Sequence, residues 1–364
     1  FKQKTAYEIP KRDWSSDVCS SDLRLSGTKT DSALTDASGN YSFTNLTAGS
    51  YTLTEVNQSG WLQTFPTNPS TYTISVSSGT VSTGKDFGNF QLGTISGKKF
   101  NDLNGNATKD NGEVGLQNWK IKISGAKTDS VLTDVNGNYT FSGLTVGSYT
   151  ISEVQQSGWV QMLPTSNGTY SVPVTSGTNA SGKDFGNFQL GSISGLKFED
   201  VNGNGVKDGG ESSLSGWTVY LYKNDTTVIF DSTVSTNTGF TFSNLSVGTY
   251  YLREVLQTGW IQTTTNPAPI NVTSGLLTSN VNFGNFHLGS ISGLKINDIN
   301  GNGTRDFGEN GLPNWKIKIS GAKTDSVLTD ANGNYSFTNL LGGIYTVSEI
   351  QQTGWLQKIG RAHV

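Results

Sequence analysis

The chain has 364 residues, too many for one small sandwich domain and enough for three or four. Hydrophobic residues make up 33% and Gly reaches 45, a mixture that suits short strands joined by tight turns and argues against a helical fold. The net charge of -3 gives no basic footprint for nucleic acid or an anionic membrane surface, and no apolar run is long enough to span a bilayer.

In chain order, the first residues (FKQKTAYEIPKRDWSSDVCSSDL) share nothing with the remainder and resemble translated adaptor sequence. The closing KIGRAHV resembles the same kind of tail: Trp355-Leu356-Gln357 still matches Trp159-Val160-Gln161, and the match stops at Lys358. Residues 1–23 and 358–364 are therefore expected to be non-native, and the chain to be a fragment whose ends say nothing of localisation. Cys19, the single cysteine, falls in the excluded segment, so the rest has no disulfide framework and needs another staple, such as a metal or an unusual cross-link.

Between those ends the chain repeats. FGNF occurs at Phe87–Phe90, Phe185–Phe188 and Phe283–Phe286, 98 residues apart each time, and Asn118–Asp134 recurs unchanged at Asn314–Asp330. The frames are 24–92, 93–190, 191–288 and 289–357. The first lacks an opening strand and loop, and the last lacks closing strands.

Module 93–190 reads as nearly all strand. Ile95–Phe100 is the opening strand, followed by a polar loop to Gly115. That loop carries Asp102, Asn104, Asn106, Thr108, Asp110 and Glu113, and it recurs as Asp200, Asn202, Asn204, Val206, Asp208, Glu211 and as Asp298, Asn300, Asn302, Thr304, Asp306, Glu309. Side-chain oxygens fall at positions 1, 3, 5, 9 and 12, the spacing with which a tightly wound loop turns alternate side chains onto one calcium ion. Position 7 offers its backbone carbonyl, so Thr108, Val206 and Thr304 differ freely. The acid at position 12 is able to bind through both oxygens. Gly205 and Gly303 serve the turn at position 6, where Ala107 makes the first loop weaker. The bland alternative is a Gly/Asn-rich loop with solvated carboxylates. With no flanking helices, the ion is expected to pin the loop and the junction to the preceding module.

Trp119, Ile121 and Ile123 then alternate with Lys120 and Lys122 as a half-buried strand, with Trp217 and Trp315 as equivalents of Trp119. Val131–Asp134, Asn136-Gly137 and Tyr139–Phe141 read as a hairpin. Asp134 and Asp330 precede that turn and are read as its hydrogen-bonding side chains rather than as ligands of a second ion. All four modules carry Tyr-x-aliphatic-x-Glu, at Tyr51/Leu53/Glu55, Tyr149/Ile151/Glu153, Tyr250/Leu252/Glu254 and Tyr345/Val347/Glu349, which aims each Glu inward where it needs a partner. Trp61, Trp159, Trp260 and Trp355 follow Gly and are read as caps on a sandwich end or junction, in preference to a carbohydrate platform. Tyr170–Val174 and Lys183–Leu190 complete about seven strands, with Asn187 facing inward and Lys99 ambiguous in direction. The count fits an all-β tandem array of Greek-key, prealbumin- or Ig-like β-sandwich modules. His287 is a lone histidine, and His363 lies in the tail; with no repeated nucleophile beside a base, catalysis finds no footing.

The run ISG(L/K)KF-x-D-x-N-G-N-x3-D-x-GE, then TDxNGNYxF, then GxYxxxE, resembles the SdrD-type B domains of Gram-positive surface adhesins, within the wider Cna B-type sandwiches. The resemblance covers residues 24–357 and implies a calcium-stiffened stalk that is extracellular, secreted or attached to a cell surface. Its partners would be the neighbouring modules of a monomeric chain; direct binding of a host protein or glycan, or an accessory role in a large secreted enzyme, are the rival readings. The resemblance further implies an intramolecular Lys–Asn isopeptide bond assisted by Glu, at Lys99, Glu153 and Asn187 and at Lys197, Glu254 and Asn285. The simpler alternative is a buried Lys–Glu salt bridge with Asn ending a strand.

Overall fold

A computed structural model describes residues 22–357, all in strands, turns and loops with no helix among them. The terminal segments set aside above lie outside the described residues, except Asp22 and Leu23, which take strand positions in Asp22–Gly27. Leu23 is buried in the core of its module, at the place Ile121 fills one repeat later.

The described chain forms two compact units. One comprises residues 22–102, 107–156 and 161–187, and the other residues 103–106, 157–160 and 188–357. Module 93–190 shows the complete architecture. One sheet runs in the order Asn138–Leu144, Gly93–Asn101, Phe185–Gln189, Trp159–Leu163, with the short Asn179–Ala180 also on Gly93–Asn101. The other runs Thr169–Val174, Gly147–Glu153, Lys120–Gly125, Asp129–Leu132. The opening strand is therefore central: antiparallel to its neighbour on one side (Ile95 opposite Phe141) and parallel to the closing strand on the other (Lys99 opposite Phe185).

Alternation explains the core between the sheets. Ile121 and Ile123 from one strand, Tyr149 and Ile151 from the next, and Tyr139, Phe141 and Phe185 from the facing sheet are all buried. Each such side chain contributes about 1.5–3 kcal/mol by leaving water. Module 191–288 repeats this plan, with its opening strand interrupted at Leu196 between Gly191–Gly195 and Lys197–Glu199.

The Asn-Gly turn exists, but it does not make a hairpin. Asp129–Leu132 and Asn138–Leu144 belong to opposite sheets, so the turn carries the chain from one layer of the sandwich to the other. Gly137 (φ 79) lies so close to the opening strand that a Cβ there would sit 2.0 Å from the Lys99 carbonyl oxygen. Asp134 and Asp330 act as expected: Asp134 accepts the N–H of Asn136 and Asn138 (2.9 and 2.7 Å), and Asp330 repeats both bonds.

The candidate calcium loops and the buried lysine centres

The loop after the opening strand is held by its own first residue. Asp200 has no exposure, and its carboxylate accepts the N–H groups of Gly203, Asn204 and Gly205 at 2.7, 3.1 and 2.6 Å. Positions 3, 5 and 9 converge: Asp208 Oδ2 accepts the side-chain amides of both Asn202 and Asn204, each at 2.8 Å. Asp306 receives Asn300 and Asn302 in the same way, at 2.7 and 2.5 Å, and these amides hold the Asp306 carboxyl below the usual carboxylate range. Glu211 pins both ends of the loop, through Val201 N–H at 3.0 Å and Asp208 N–H at 2.9 Å; Glu309 does so through Ile299 and Asp306. In the first loop, Asp102 accepts the Ala107 N–H at 2.8 Å and Glu113 the Asp110 N–H at 2.9 Å.

This donor set suits a hard cation. It is all oxygen, and rotating the Asn202 and Asn204 amides would turn their oxygens toward the point where Asp208 already draws them. Among the described residues, no three His, Cys, Asp or Glu side chains gather closely enough to hold a metal by themselves. The convergence therefore depends on the asparagines, while the carboxylates at positions 1 and 12 are engaged with backbone N–H groups and keep further lone pairs. Thr108, Val206 and Thr304 stand at position 7, where only the carbonyl is at issue. Ala107 takes φ 61, in the left-handed region where Gly205 and Gly303 take 77 and 79. Sequence reasoning missed position 8: Lys207 folds back onto the carbonyls of Asp208 and Glu211 (3.2 and 2.5 Å), and Lys109 does the same in the first loop. The signal was a cation at this place in each loop, Lys109, Lys207 and Arg305.

The loop tip at residues 103–106 meets the module that follows. The Leu103 carbonyl accepts the Ser274 N–H at 3.0 Å, and a Cβ on Gly105 would sit 2.7 Å from Val247.

The second constellation lies inside each complete sandwich. Lys99 is fully buried, its Nζ 2.9 Å from Glu153 Oε2, while Asn187 donates its amide to Glu153 Oε1 at 2.6 Å. In the next module Lys197 reaches Glu254 at 3.0 Å and donates to Asn285 Oδ1, and Asn285 donates to Glu254 at 2.7 Å. The structure thus resolves the direction of Lys99: it points between the sheets, while Phe100 is buried on the other side beneath Gly186. Each ammonium lies over the ring of the core tryptophan, Lys99 at 4.3 Å from Trp119 and Lys197 at 4.1 Å from Trp217, a contact the sequence did not reveal. Burial pushes both amines down to about 8, although the adjacent glutamates pull the other way. Lys295 and Glu349 repeat the pair at 2.7 Å. In module 22–92, Asn89 donates to Glu55 Oε1, but Glu55 Oε2 is buried without a hydrogen-bond partner.

Trp119, Trp217 and Trp315 are core residues, as expected. Trp260 and Trp355 stand edge-on to Trp217 and Trp315, so these Gly-Trp pairs cap the sandwich over the core indole. One face of Trp260 is stacked on His287 at 4.5 Å, which leaves less of it for a sugar.

Comparison with known proteins places this repeat. The family model described as SdrD B-like domain matches residues 93–182, 191–284 and 289–361. Serine-aspartate repeat-containing protein D of Staphylococcus aureus is 28% identical over 89% of this chain and 27% of its own length. Serine-aspartate repeat-containing protein F of Staphylococcus epidermidis is 26% identical over 89% of this chain and 23% of its own length. The chain thus spans about a quarter of these relatives. Among solved structures, the Bacillus anthracis TIE protein aligns with 93% of this chain and 65% of its own at 15% identity and a TM-score of 0.34. Two B repeat units of the collagen binding protein of Staphylococcus aureus align with 93% and 89% at 14% identity and a TM-score of 0.22. Built from repeats that the family model matches in three successive copies, the chain belongs to the SdrD B-like domain family.

Proposed function

We propose that this chain is a run of calcium-binding spacer repeats from an extracellular surface adhesin. The observation that carries the reading is the convergence of Asn202 and Asn204 on Asp208, repeated at Asn300, Asn302 and Asp306. A bound ion adds its binding free energy to the folded loop and so resists local opening, which is what a rigid spacer requires. Junctions between modules support the same role. Gln91 N–H donates to Ser176 Oγ at 2.9 Å while its carbonyl accepts Gly177 N–H at 2.9 Å. Gln189 makes the same two bonds with Ser274 and Gly275, at 2.6 and 2.8 Å. Melting of the intact chain with calcium and with chelator tests the reading: calcium should raise the midpoint and slow proteolysis. Identical melting under both conditions sinks it.

The lysine centres support a second chemistry, an amide between Lys99 and Asn187 and between Lys197 and Asn285. The neutral Lys Nζ would attack the Asn side-chain carbonyl carbon, with Glu153 or Glu254 shuttling protons. The new C–N bond replaces the Asn C–N bond, Nζ gives up a proton, and ammonia leaves. Intact mass should then fall by one ammonia per complete module, and Lys197→Ala should restore one of them. A chain of unreduced mass contradicts this chemistry.

A further inference from the structure

Asn-Gly pairs occur in each candidate calcium loop and in the turns that cross between sheets, and asparagine is chemically labile in that setting. Glycine has no side chain to shield its nitrogen, so that nitrogen can reach the side-chain carbonyl of the asparagine before it. Whether it does depends on what holds it. In loop 200–211 the attacking groups are occupied, because Gly203 and Gly205 donate to the Asp200 carboxylate at 2.7 and 2.6 Å. Gly303 donates to Asp298 at 2.8 Å. In the sheet-crossing turns, Gly137 and Gly333 donate to the carbonyls of Asp134 and Asp330 at 2.9 and 3.0 Å. Each bond commits the N–H to an oxygen and holds the nitrogen in one orientation.

Asn111-Gly112 lacks such a hold. The pair forms the corners of a turn closed by the Glu113 N–H on the Asp110 carbonyl at 3.4 Å, with Gly112 at φ 90. Loops 200–211 and 298–309 close the same turn, with Gly210 at φ 94 and Gly308 at φ 91, but carry Gly209 and Phe307 at the first corner. Asn111 and Gly112 are both exposed, and nothing lies within 4 Å of the place where a Gly112 Cβ would stand. Among the described residues the Gly112 N–H has no acceptor, since the closing bond uses the N–H that follows it.

We infer that Asn111 is a site of self-modification, a spontaneous deamidation through a cyclic imide. The Gly112 nitrogen attacks Asn111 Cγ: the new C–N bond replaces Cγ–Nδ2, and the departing amide nitrogen takes up the Gly112 proton and leaves as ammonia. Water then opens the ring at one of its two carbonyls, giving aspartate or isoaspartate. Either product places a new carboxylate between Asp110 and Glu113. Isoaspartate also routes the backbone through the side chain, lengthening the turn that the Asp110 N–H to Glu113 Oε2 bond spans at 2.9 Å. Ageing therefore reshapes this turn in the first loop, while the corners at Gly209 and Phe307 have no amide to lose.

The test is peptide mapping of the full chain held in alkaline buffer, which promotes loss of the Gly112 proton. The tryptic peptide Asp110–Lys120 should exchange an NH group for an oxygen at Asn111, with isotopic oxygen taken up from labelled water. In the folded chain Asn111 should convert at least tenfold faster than Asn136, Asn202, Asn204 and Asn302. In urea those rates should converge, because the hydrogen bonds that separate them are gone. An Asn111→Gly chain, which carries the corner residue of loop 200–211, should show no exchange in that peptide. The proposal is overturned if folded Asn111 keeps its amide as long as Asn202 and Asn204, if the rates differ as much in urea, or if the exchange falls on Asn118.

Discussion

Lys99 and Lys197 each hold an amine wholly out of water, against an indole face and one carboxylate. Burial disfavours the ammonium, so each folded amine titrates near 8 rather than near its ordinary 10.5. Between those values the unfolded chain binds more protons than the folded one, so stability rises with pH there, and the full penalty is present below 8. In a chain with Asn187→Ala and Asn285→Ala, where no amide forms, urea stability should increase from about pH 7.5 to about pH 10. The same chain further carrying Lys99→Met and Lys197→Met should lack that slope; equal profiles would refute the burial account. At position 6 of the first loop, Ala107 holds a left-handed backbone that Gly adopts freely. Ala107→Gly should stabilise the folded chain by about 1 kcal/mol in urea denaturation. An unchanged unfolding free energy would show that the residue costs nothing there.

Elements were legible where a period or a duplicated motif marks them. Alternation located Lys120–Gly125, and the parity of Phe185 placed Asn187 inward, where it is fully buried. Turn chemistry was less complete: Asp134, Asn136 and Gly137 announce a reversal, yet a reversal does not say which sheet receives the next strand. Lys99 was ambiguous because the end of its strand is buried on both faces, Phe100 lying under a glycine that sequence alone does not pair with it. Gly97 belongs to the same lesson, since its need arises from Tyr139 and Lys183, distant in sequence. Gly97→Ala should cost about 1–3 kcal/mol or more in urea denaturation, because the opening strand is flanked on both sides and cannot shift. A cost near zero would mean that the strand does not run beneath the hydrogen bond between Tyr139 and Lys183.

Across the chain, duplication made the architecture readable, because the oxygen-bearing loop positions stayed fixed while filler residues changed. What it left open was how the loops close. The structure answers with asparagine amides drawn to one aspartate and acids committed to backbone N–H groups, an arrangement that a cation would tighten by reversing those amides. Loop 200–211 and loop 298–309 share this arrangement, so Asp208→Ala should remove one loop's calcium while leaving the other's intact. The most direct measurement is calorimetric calcium titration of the full chain against its Asp208→Ala, Asp306→Ala double variant. Binding should saturate in the parent, and the variant should lose two sites. Indistinguishable titrations, or no calcium heat in the parent, would contradict calcium binding by these loops.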